Sequence, residues 1–82
     1  MASFLVEAYT PASAAIAEIA ARARVAAEEL AREGMPVQYL RSIFIREDEI
    51  CLHLYEAHSA EAVRGASERA GLSAQRIVEA AE

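Results

Sequence analysis

The sequence predicts an α+β sandwich, with two helices covering one face of a four-stranded antiparallel sheet. Hydrophobic alternation at a period of two recurs in four stretches, and two alanine-rich segments with helix-start and helix-stop signals separate them. The resulting order is strand, helix, strand, strand, helix, strand. In a chain of 82 residues this order fits the split βαβ, ferredoxin-like arrangement (βαββαβ), with residues 1–82 forming one domain. Right-handed crossovers then put the first and third strands side by side at the sheet centre, with the second at an edge beside the third.

The first strand is expected over residues 3–9, with Phe4, Val6 and Ala8 on one face and Leu5, Glu7 and Tyr9 on the other. Thr10-Pro11 offers a helix start, Thr10 as N-cap and Pro11 at the first helical position, where a missing N–H costs nothing. The helix runs to about Glu33, where Gly34 can take a left-handed conformation and Pro36 forbids continuation. Ile16, Ile19, Ala20, Ala23, Ala27 and Leu30 form its apolar stripe, opposite Glu18, Arg22, Glu29 and Arg32, with Val25 left exposed.

A second strand follows over 37–46, with Leu40, Ser42 and Phe44 on one face and Tyr39, Arg41, Ile43 and Ile45 on the other. Glu47-Asp48-Glu49 connects it as a hairpin to the central strand over 49–57. There Ile50, Leu52 and Leu54 alternate with Cys51, His53 and Tyr55. The purely aliphatic face is expected under the helices, and the mixed face, carrying a histidine and a phenol, is the first place to look for a ligand. Ser59 caps a helix over 60–70 that buries Ala62, Val63, Ala66 and Ala70 and stops at Gly71. A short last strand is expected over 76–80.

Composition excludes several classes. The net charge of −5, with eight scattered arginines as the only basic side chains apart from histidine, argues against nucleic acid. No apolar stretch reaches bilayer length and no leader pattern is visible, so no membrane partner is expected and a cytoplasmic location is the default. Cys51 stands alone, which excludes an internal disulfide and cysteine-based zinc motifs and reads as a small buried hydrophobe. A core this small favours oligomerisation.

Six runs, in order, resemble a family of small ferredoxin-like bacterial proteins, mostly of unknown function, that includes nickel-binding members. They are Phe4-Leu5-Val6-Glu7, Tyr39-Leu40-Arg41-Ser42, Leu54-Tyr55-Glu56-Ala57, Glu61-Ala62-Val63-Arg64, Arg69-Ala70-Gly71-Leu72 and Arg76-Ile77-Val78-Glu79. The resemblance implies the ferredoxin-like fold and, in the nickel-binding branch, dimerisation and histidine ligands. Those members are similar in carrying a His-His-x-Met run where this chain has Ala8-Tyr9-Thr10-Pro11, and many relatives have histidine at Arg41 and cysteine at His53. A guanidinium offers a metal no lone pair. The resemblance thus implies the fold and argues against a metal, so no metal ligand and no cofactor is assigned.

If the first three strands lie adjacent, Glu7, His53 and Arg41 share a face with Tyr9, Tyr39 and Tyr55. His53 would act as general acid or base, Glu7 would orient it, Arg41 would anchor an anion, and the three tyrosines would wall a pocket. The favoured reading is a small-molecule-binding homodimer, in catalytic form a cofactor-independent isomerase, cyclase or oxygenase, a link to chemistry made by fold analogy. The alternatives are a nickel- or other metal-binding protein, using His53, His58, Glu7 and Cys51, and a structural dimer. Dimerisation is expected through, or at the edge of, the face bearing Leu5, Ile43, Ile45 and Tyr55; in the structural dimer Glu7 and Arg41 pair across the interface and His53 is hydrogen-bonded. His58 reads as a loop residue, Glu56 as structural, and Arg64, Glu68 and Arg69 as a solvated helix face.

Overall fold

A computed structural model describes residues 1–81. Strand β1 (Ala2–Tyr9) leads to helix α1 (Ile16–Arg32), strand β2 (Val37–Ile45), a 3-10 turn (Arg46–Asp48), strand β3 (Ile50–Ala57), helix α2 (Ala60–Ala70) and strand β4 (Ala74–Ala80). The sheet order is β2-β3-β1-β4, with every neighbouring pair antiparallel. This is the ferredoxin-like arrangement, with strands one and three at the centre as the crossover rule requires.

Local chemistry explains most element ends. Ser59 caps α2, its hydroxyl accepting from the Ala62 N–H at 3.3 Å. Gly71, at φ +74°, closes the same helix in the left-handed region. Gly34 sits at φ +100° just beyond α1. Glu49, also left-handed at φ +53°, ends the turn that joins β2 to β3.

Helix α1 begins later than expected, at Ile16, and Ala15 supplies no side-chain cap. Thr10 and Pro11 are otherwise engaged. The buried Thr10 hydroxyl donates back to the Ala8 carbonyl, its N–H donates to the Glu49 carbonyl at 2.9 Å, and the Ala12 N–H donates to the Glu49 carboxylate at 2.8 Å. Arg46 donates to the Ala12 carbonyl. These bonds tie the segment to the β2–β3 turn, and the chain must cross the sheet end before it can coil.

The core lies between the helices and the face formed by Phe4, Val6, Tyr39, Tyr55 and Ala57, closed from above by Ala23, Ala26, Ala27, Leu30, Val63 and Ala66. Alanine-rich helices bring their backbones close, and the volume beneath is filled by long sheet side chains. Val25 is 50% exposed, as its position off the stripe predicts. Among the described residues no helix is long and apolar enough to cross a membrane.

Candidate functional site

The helices cover the mixed face of the central strand, and the aliphatic face stays open, which reverses the sequence expectation. Cys51, His53, Tyr55 and Ala57 are fully buried, while Ile50, Leu52, Leu54 and Glu56 are only half-buried. The reason lies in the neighbouring strand. A carboxylate resists burial without a partner, so Glu7 turns β1 with Phe4, Val6 and Ala8 inward. The register then sets Tyr55 opposite Phe4, His53 opposite Val6 and Cys51 opposite Ala8.

A second departure comes from β2. Tyr39 pairs with Tyr55 but Arg41 pairs with Leu54, so Leu40 is an extra, bulged residue. The bulge reverses parity: Tyr39 faces the helices with Ser42 and Phe44, while Leu40 and Arg41 both fall to the open side with Ile43 and Ile45. The expected cluster therefore divides. His53, Tyr39 and Tyr55 lie under the helices; Glu7, Arg41 and Tyr9 lie on the open face. Glu7 and Arg41 are separated there by β3, and Tyr55 is no part of an open interface. Concavities touch Glu7 and Tyr9, Tyr39, or Arg41 and Tyr55, but none of these reaches His53.

What the inner face holds instead is a chain of polar groups that includes a residue the sequence reading passed over. Ser42 Oγ lies 2.6 Å from the Tyr39 hydroxyl and 2.6 Å from His53 Nδ1. Cys51 Sγ is 3.9 Å from the same nitrogen. The Tyr39 and Tyr55 rings meet edge to face at 5.6 Å, and the Arg24 guanidinium lies 5.2 Å from the Tyr39 ring centre. His53 Nε2 and the Tyr55 hydroxyl have no hydrogen-bond partner. The signal for Ser42 was a hydroxyl in an aliphatic strand opposite a histidine, legible only once the register is known.

Burial governs the titration of these groups. Desolvation holds the His53 imidazole neutral, its pKa pushed down to about 4. The same cause pushes the Tyr55 phenol up to about 12, against the opposing Ser67 hydroxyl. It raises the Cys51 thiol as well, Ser42 acting in the other direction. A neutral imidazole, a protonated thiol and the protonated Tyr55 phenol, all three residues fully buried, make a structural polar core. A general base must reach its substrate, and His53 reaches only Ser42 and Cys51.

The open face is built differently. Neighbouring rows across the strands read Ile43–Leu52–Glu7–Arg76 and Arg41–Leu54–Leu5–Val78. A third row, Ile45–Ile50–Tyr9, lies next to the first. Ile43 and Ile45 are 46% and 39% exposed and Tyr9 49%. Glu7 and Tyr9 border a concavity of about 330 Å³ with Asp48, Glu49 and Gln75.

Fold and side-chain arrangement together define a small ferredoxin-like α+β protein with a sealed polar core and a bare apolar sheet face. The chain belongs to the SCO4226-like family, described as nickel responsive protein SCO4226-like, whose model matches residues 4–80. The family expected from the six sequence runs is thus the one found. Among solved structures the chain is similar to the crystal structure of SCO4226 from Streptomyces coelicolor A3(2), at 23% identity over 99% of this chain and 98% of that one, with a TM-score of 0.74. No curated protein matches.

The residues here do not suit the nickel that the family description suggests. Among the described residues no three His, Cys, Asp or Glu side chains come together as a metal-holding group. His53 Nδ1 is engaged by Ser42, Cys51 keeps its proton, and Glu7 lies on the other face from both. His58 is exposed in the loop before α2.

Proposed function

We propose that this chain works as a non-catalytic homodimer, with the open sheet face as its subunit interface. The observation that carries this reading is the apolar strip of Ile43, Leu52, Leu54, Leu5 and Val78, which crosses all four strands with no helix over it. A contiguous apolar surface of this kind marks an interaction site. Its composition supports the same reading, with aliphatic residues at the centre and Glu7, Arg41, Glu56 and Arg76 around them, the anatomy of a protein interface. The acid/base enzyme expected from the sequence has lost its geometry, because orienting carboxylate and imidazole stand on opposite sides of the sheet.

Sedimentation velocity tests this directly. The wild-type chain is expected to be a dimer at micromolar concentration, and Leu52→Glu, whose side chain points away from the core, a folded monomer. A wild-type monomer would overturn the reading. Nickel enters only through the family description, and calorimetry on tag-free protein is expected to give no stoichiometric submicromolar isotherm, since the donor set is dispersed.

A further inference from the structure

We propose that the open face carries, at its Glu56 end, a site for a small zwitterion with an apolar body, an aliphatic α-amino acid being the simplest example. The bulge in β2 builds it. Leu40 and Arg41, successive residues that a regular strand would send to opposite faces, both border one concavity of about 230 Å³. Leu5 and Leu54 line its apolar part, and Glu56 and Ser3, paired across β3 and β1, lie in the next row. This volume is below the roughly 300–1,000 Å³ typical of drug-sized ligands, which limits the occupant to something of amino-acid size.

Charge decides the class. Arg41 is exposed and Glu56 half-buried, and among the described residues neither has an ion-pair partner; the salt bridges present belong to Arg69. A guanidinium takes a carboxylate in a two-pronged hydrogen bond, and a carboxylate with a nearby serine hydroxyl takes an ammonium. A simple carboxylic acid would meet repulsion from Glu56, and a simple amine repulsion from Arg41. An occupant with both charges and an aliphatic side chain satisfies both groups and covers the leucines, so discrimination comes from the rejected charges as much as from the attractive ones. The site goes beyond the dimer reading: it shares Leu5 and Leu54 with the proposed interface strip and lies at that strip's Glu56 end, where Ser3 and Glu56 form the outer row of the sheet and one chain supplies every wall.

Calorimetry on the full chain with three probes tests the proposal: L-leucine, 4-methylpentanoate, which lacks the ammonium, and isopentylamine, which lacks the carboxylate. So small a ligand is expected to bind L-leucine-fashion with a dissociation constant on the order of 0.1–1 mM. Arg41→Met and Glu56→Gln should each weaken L-leucine by about tenfold or more, the loss of one charge-assisted contact. Glu56→Gln should also admit 4-methylpentanoate better than the wild type does. Absence of saturable L-leucine binding, equal binding of the single-charge probes, or unchanged affinity in Arg41→Met overturns the site. Sedimentation of the same variants separates the two proposals. Dimers that have lost L-leucine binding support a ligand site at the edge of the interface, whereas variants that become monomers show that these charges hold subunits together and overturn it.

Discussion

Ser42 and His53 face each other across the β2–β3 pair with Oγ and Nδ1 only 2.6 Å apart, and the Tyr39 hydroxyl stands equally close on the other side of Ser42. A direction of donation that satisfies all three runs from Tyr39 to Ser42 and from Ser42 to Nδ1. It places the imidazole proton on Nε2, the atom with no partner. Nitrogen-15 NMR is expected to show the neutral Nε2–H tautomer at pH 7.

Removing the middle group should strand both others. Ser42→Ala leaves a phenol and an imidazole nitrogen unpaired in the core, at about 1–3 kcal/mol. In a double-mutant cycle with Tyr39→Phe, urea denaturation should give a combined loss smaller than the sum, because the two substitutions break one shared chain.

Acid should unfold the protein through His53. Its folded pKa of about 4 lies below the ordinary 6.5, so the unfolded state takes up a proton first as pH falls. Stability is fully present above about pH 6.5 and is lost progressively down to about pH 4, about 3 kcal/mol in all. In His53→Leu that part of the slope should be missing, read as the difference between the two urea-denaturation profiles at pH 7, 5 and 4.

Alkali acts through Tyr55 with the opposite sign. Its folded pKa of about 12 lies above the usual 10, so the unfolded state releases its proton first and stability falls between about pH 10 and 12. Tyr55→Phe also removes an unpaired buried hydroxyl, and should lose that alkaline slope with little cost at neutral pH.

Two glycines should respond in opposite directions. A Cβ at Gly65, inside α2, would meet only the tip of Leu30, Cδ2 at 3.2 Å, a side chain at the edge of the core that can rotate. Gly65→Ala is expected to stabilise by about 0.5 kcal/mol through helix propensity. Gly71→Ala should destabilise by about 1 kcal/mol, since φ +74° strains any residue with a Cβ. Thermal melts of the pair check both.

Element order, the Ser59 cap, the Gly34 and Gly71 stops and the buried stripe of α2 were all legible in the sequence, because each depends on residues within a turn or two of one another, and sheet order followed from the handedness of the crossovers. Three things were not. The start of α1 moved to Ile16 because Thr10 and Ala12 bond with Ala8 and Glu49, and Glu49 is remote in the chain. The parity of β2 changed because one extra residue at Leu40 turns Tyr39 inward, and an alternation pattern carries no mark of a bulge. The covered face of β3 was settled by pairing. Ile50, Leu52 and Leu54 suit a helix-covered face or a subunit-covered face equally well, and only register with β1, where Glu7 must face outward, sends His53 and Tyr55 into the core. Periodicity thus defined the two faces of β1, of β3 and of β2 beyond its bulge, and long-range pairing decided which of them the helices seal.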